Sequence, residues 1–193
     1  SELTGTRSEQ LPEPGSRTML VASLGALLAA VLWLALAPLP ITTSVQSAWY
    51  ATGKLLRSDI GRQVTGFTLV ALTLLGQVFS MRKRSSRFTW GSYGFWRAAH
   101  GVLGVSVMIA IGIHTGMQLG SNLNWVLGVC FLSAGVLGGL AGIASSLESR
   151  LGGSLGMKVR RWRPHLASLH LWVTWPLPLL IGLHIFSFYW FSD

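Results

Sequence analysis

Charge is what this chain has least of. Asp, Glu, Lys and Arg make up 11% of its 193 residues, and only six of them are acidic. An ordinary soluble domain carries about 25% charged residues, so this sequence is too poor in charge for a typical water-facing surface. Cysteine is almost as scarce. Cys130 stands alone, which excludes an intramolecular disulfide, and its place inside an apolar run reads as packing. The shortage of acids leaves a formal charge of +9. Nucleic acid would be one reading of that excess, but the basic residues fall in short blocks between apolar runs. In a membrane protein that pattern sets topology, so membrane lipid and not nucleic acid is the expected surrounding.

What the chain does have is apolar length. Half of its residues are hydrophobic, the mean hydropathy is +0.51, and five runs approach the roughly 20 residues needed to cross a bilayer. Residues 1–17 form a polar tail with Pro12, Pro14 and Gly15 and no periodicity. Residues 18–193 read as one transmembrane domain. The expected spans are 19–37, ended by Pro38 and Pro40; 64–81; 95–117, running out near Gly120; 125–146; and 164–190. Arg17 and Ala35-Leu36-Ala37 admit a signal peptide for the first run, but its core exceeds the usual ~7–15 residues. Residues 41–63 are a polar connection, with Trp49 and Tyr50 suited to an interface and room for a short interfacial helix. Residues 121–124 make a tight uncharged loop. Residues 147–163 read as a Gly-rich connection whose GGSLG is a flexible turn.

The basic residues predict orientation. Arg82, Lys83, Arg84, Arg87 and Arg97 follow the second span, and Arg150, Lys158, Arg160, Arg161 and Arg163 follow the fourth. The other connections carry three and none. The two rich blocks are therefore expected on the cytoplasmic side, with the N-terminus inside and the C-terminus outside. The fold class this predicts is all-α, an integral bundle of five transmembrane helices in which the third and fifth run in the same direction.

Those two helices carry the chemistry. His100 and His114 are fourteen residues apart on the third, and His170 and His184 are fourteen apart on the fifth. Fourteen residues make just under four turns, so each pair shares a helix face at a separation of roughly 21 Å along the axis. Ionisable side chains inside a bilayer are rare and functional by default. One imidazole from each helix at matched depth can complete the axial coordination of a b-type haem iron, so the pattern predicts two such haems between helices three and five. Gly101, Gly104, Gly112 and Gly116 leave room for a macrocycle, and Arg97, Arg161 and Arg163 can meet the propionates of the inner one. For the outer one the candidates are Lys54, Arg57, Arg62 and the asparagines of the short loop. Zinc or copper fits less well, because neither depth supplies Cys, Asp or Glu; proton relay and chlorophyll ligation remain as alternatives. His165, next to Pro164, reads as an interfacial or capping residue at the start of the fifth helix, or as a contact to a propionate or quinone. Pro176 and Pro178 predict a bend between the two histidines, with Thr174 helping to satisfy the backbone.

The segments RAAHGVLGVSVMIAIGIH, from Arg97 to His114, and LHLWVTWPLPLLIGLH, from Leu169 to His184, resemble the ferric reductase-like transmembrane domain of ferric reductases and NADPH oxidases. GRQVTGFTLVALTLLGQVFSMRKR resembles its second helix, and the likeness covers residues 50–190. It implies stacked b haems held by His100 with His170 and by His114 with His184, moving electrons across a membrane. The cytochrome b of bc complexes is a close rival with the same paired helices, but its PEWY motif is absent. No flavin or nicotinamide domain follows the last helix, so hydride chemistry is expected of a partner. The functional expectation is a diheme electron conduit in a bacterial cytoplasmic membrane, serving a quinol, a flavoprotein or dehydrogenase, or a c-type cytochrome, within a larger complex. The alternatives are an enzyme that itself oxidises quinol or reduces ferric iron, and a non-redox pigment-binding or scaffold subunit.

Overall fold

The computed structural model describes residues 16–36, 54–55, 58–82, 91–148, 150–151 and 153–191. The expectations for most of the polar tail, for Trp49, Tyr50 and Arg57, and for Lys83, Arg84 and Arg87 lie outside the described residues. Among those described, every regular element is an α-helix: α1 (Ser16–Leu36), α2 (Asp59–Arg82), α3 (Tyr93–Thr115), α4 (Asn122–Glu148), α5 (Gly153–Thr174) and α6 (Leu177–Trp190).

Four helical stretches are long and apolar enough to cross a membrane: α1, α3, α4 and the joined α5–α6 run, Gly153–Trp190. Helix α2 covers the expected second span but is not among the four. Asp59, Arg62 and Gln63 open it and Gln77 interrupts its apolar run. Large apolar side chains point outward along these rods, among them Val21, Leu28, Phe67, Leu74, Ile109 and Leu179. Exposed apolar area on this scale would be a liability in water and is the ordinary outer surface of a protein dissolved in lipid. Among the described residues the chain is all-helical, with several helices long and apolar enough to cross a membrane.

The core gathers around Phe131 and Leu132 of α4, with Met108 and Ile111 of α3, Leu69 of α2, Trp33 of α1 and Leu177 of α6. Helix α4 is the centre of the packing, touching α1, α3, α5 and α6. Its small residues make that possible, serving more than one neighbour. A Cβ on Gly139 would meet Leu27 of α1 at 2.9 Å, one on Gly142 would run into Ser23 of α1, and one on Gly135 would strike Met108 of α3. Sequence spacing pairs Gly135 with Gly139 and Gly138 with Gly142 as small-xxx-small pairs; the fold gives Gly139 and Gly142 to α1, Gly135 to α3 and Gly138 to His170 of α5.

Helix α3 begins where the Ser92 hydroxyl accepts from Phe95 N at 3.2 Å. It ends at Gly116, whose φ of 62° is the left-handed cap that L side chains avoid. It packs on α1, α2 and α4 but has at most marginal backbone contact with α5 and α6. The two rods that carry the histidines are thus held apart by α4 and α2, with side chains and open space between them.

Two sequence expectations are corrected. Residues 147–163 are not a flexible connection: helix α5 starts at Gly153, so Lys158, Arg160, Arg161, Arg163 and His165 all sit within it and His165 is not at a helix start. Met, Lys and Arg are good helix formers, and Glu148 at the end of α4 holds Arg160 at 3.1 Å and Arg163 at 2.5 Å. Pro164 lies inside this helix, and is itself exposed. The fifth span, expected over 164–190 as one bent helix, is divided at Trp175 and Pro176. Pro178 has no N–H to give the carbonyl of Thr174. Gln77 of α2 donates to that carbonyl instead, at 3.4 Å, while the Thr174 hydroxyl donates to Leu171 O at 3.1 Å.

Candidate functional site

The space between α3 and the α5–α6 rod is occupied by two cavities. The first, of about 840 Å³, is lined by His100 and His170. The second, of about 390 Å³, is lined by His114 and His184. Both volumes fall in the range of roughly 300–1,000 Å³ usual for cofactor sites. Each receives one histidine from each rod, and among the described residues Phe131 is the one that lines both, so it lies where the two adjoin.

In the first cavity the imidazole centres of His100 and His170 are 6.2 Å apart and their planes cross at 81°. Metal–imidazole bonds of about 2.0–2.1 Å on opposite sides of one ion put ring centres roughly 6 Å apart, which is this spacing. Nδ1 of His170 lies 3.0 Å from the carbonyl oxygen of Ala134. A carbonyl only accepts, so the hydrogen-bond network assigns the proton to Nδ1 and leaves the Nε2 lone pair free for a ligand. Gly138 makes this approach possible, since a Cβ there would come within 3.0 Å of His170 Cε1. Nδ1 of His100 is buried with no hydrogen-bond partner among the described residues. In the second cavity His114 rests against α2, with Nδ1 2.9 Å from the Thr65 hydroxyl oxygen. A Cβ on Gly66 would lie 3.2 Å from its Cε1.

Among the described residues no three His, Cys, Asp or Glu side chains converge. A metal at either pair would therefore take its remaining ligands from something other than these side chains, as the iron of a porphyrin does. Space for such a ring exists beside the first pair, where Gly104 lines the cavity and a Cβ on it would meet nothing within 4 Å. The residues of the first cavity fit a bis-imidazole macrocycle.

The other expected contacts divide. Arg97 lines the first cavity and donates to Ser145 of α4 at 2.5 Å, and Arg163 lines it while paired with Glu148. Gly101 also lines it, though a Cβ there would meet Met19 of α1 at 2.9 Å, so it admits α1 as well. Arg161 and His165 line neither cavity and are exposed, His165 lying edge-on to Trp162. Of the residues considered for the second site, Arg62 and Asn124 line it, joined by Gln63 and Gln118. Sequence reasoning missed Thr65, Gly66, Ala134 and Ser145. The available signal was the Thr65-Gly66 pair, a small polar step at one end of an apolar span. No protein-family model, characterised protein or solved structure matches the chain.

Proposed function

We propose that this protein is a membrane cytochrome b in which His100 with His170 and His114 with His184 hold two b-type haems, and that it conducts electrons across a bacterial cytoplasmic membrane. The supporting observation is that two separate cavities each receive one histidine from each of two rods that barely touch. A bis-imidazole haem iron exchanges single electrons without opening its coordination, which favours conduction over chemistry on a metal-bound substrate. The chain's part is to orient the imidazoles, exclude water with Leu103, Met108, Phe131 and Leu177, and supply Arg97 and Arg163 to the propionates at the basic end of the first cavity. By the positive-inside rule that end and the N-terminus are cytoplasmic, and five spans result when α2 and α5–α6 both cross. The reading agrees with the resemblance to the ferric reductase-like domain, and it calls for a quinol, flavoprotein, dehydrogenase or c-type cytochrome at either end.

The test is a reduced-minus-oxidised spectrum of the purified chain with a pyridine haemochrome count. Two haems per chain are expected. One would overturn the paired assignment, and none would overturn the cytochrome reading in favour of a pigment-binding or scaffold role. Quinol oxidation or ferric reduction by the chain alone, with saturation, would make it an enzyme in its own right.

A further inference from the structure

Each cavity holds one imidazole whose Nδ1 meets an oxygen beside a glycine, but the two oxygens differ in kind. For His170 the oxygen is the main-chain carbonyl of Ala134, which no substitution removes. For His114 it is the hydroxyl of Thr65. That hydroxyl has one proton, and two backbone carbonyls lie within its reach, Gly61 O at 2.9 Å and Arg62 O at 3.2 Å. With the proton given to the backbone, the oxygen accepts from His114 Nδ1–H and the Nε2 lone pair is left for a ligand. Gly66 supplies the clearance that lets the ring reach it. Among the described residues helix α2 makes no such bond to a histidine of the first cavity, where its Thr73 hydroxyl is buried without a partner. Fourteen residues after Thr65 it carries Phe79, which packs edge-on to Trp96 at 4.9 Å, and His100 Nδ1 has no partner among the described residues.

We propose that Thr65 is a positioning residue that fixes the tautomer and orientation of His114, and so tunes the second site independently of the first. The proposal rests on the haem reading above. A hydrogen bond accepted from Nδ1–H raises the basicity of a ligating imidazole and stabilises the more oxidised metal. Its loss should raise the potential of one haem only.

The experiment is an optical redox titration of the full chain and its Thr65→Val and Thr65→Ser variants, with transfer of haem to an apo-globin acceptor. Thr65→Val should shift one of the two potentials upward, leave the other in place and weaken retention of that haem by about 10–100-fold. Thr65→Ser, which keeps the hydroxyl, should behave as the parent. Two haems with unchanged potentials and retention in Thr65→Val would overturn the proposal while leaving the haem reading intact. Histidine ring-nitrogen NMR of the isotope-labelled, haem-free chain decides the same question without the cofactor. The His114 ring should be protonated at Nδ1 in the parent and in Thr65→Ser and lose that preference in Thr65→Val; no change would overturn the seat even if the parent bound no haem.

Discussion

Gly138 and Gly66 face imidazoles, whereas Gly139 and Gly142 face a neighbouring helix. A Gly→Ala change inside a helix ordinarily gains up to about 1 kcal/mol. Gly138→Ala should show the reverse, because a Cβ 3.0 Å from His170 Cε1 displaces the ring and breaks its bond to Ala134 O. The expected outcome is loss of haem from the first cavity with the second retained, read by haem stoichiometry. His114→Ala is the complementary change. It should reduce the count from two haems to one and leave the absorption of the first site in place, since the second cavity shares only Phe131 with the first. Simultaneous loss of both species would contradict the pairing by depth. At this scale the pairing of the four histidines by depth was legible in their matched spacing, and the structure brings His100 with His170 and His114 with His184 to the lining of two cavities. Their seats were not legible, because nothing in the local sequence around Thr65 or Ala134 reports which histidine lies opposite.

At the scale of the element, the division of the last span turns on hydrogen bonds that proline cannot make. Pro178 frees the carbonyl of Thr174, and Gln77 reaches across from α2 to satisfy it. Gln77→Leu should cost about 0.5–1.5 kcal/mol, the scale of interhelical hydrogen bonds in membranes. In a Pro178→Ala background, where residue 178 can donate to Thr174 O, the same change should cost close to nothing. Reversible unfolding in mixed micelles, arranged as a double-mutant cycle, gives the coupling; equal costs in the two backgrounds would show that Gln77 does not serve this carbonyl. The prolines made a bend legible in the sequence, and long apolar runs made the helices legible. The helix over residues 153–163 was obscured by its glycines and by charges that resemble a loop. Glu148, by pairing with Arg160 and Arg163, joins that segment to the end of α4. Because the arginine partners are substantially exposed, this clamp is a matter of geometry more than of stability.

At the scale of the whole molecule, the two cavities adjoin at one side chain. Phe131 is 6% exposed and is their common wall. Phe131→Ala should merge them and cost about 3–5 kcal/mol, as large-to-small changes in a packed interior do. Phe131→Leu, which retains most of the volume, should cost far less; thermal unfolding of the purified chain compares the two. The overall plan follows from a division of labour in which α3 packs on α1 and α5 packs on α4, while the two histidine rods have at most marginal contact with each other. A protein held together through α4 and α1 can leave the space between its histidine rods empty of packing.

Sequence by itself determined the long apolar helices and the spacing of the histidines, because hydropathy and helical period are properties of the chain read along its length. Only the tertiary structure decided that α3 and the α5–α6 rod stand apart, that the space between them is two cavities, and that Thr65 and Ala134 hold one imidazole in each. These depend on contacts between residues 36 and 49 positions apart, and on the volume that side chains leave unfilled, which no local pattern in the sequence encodes.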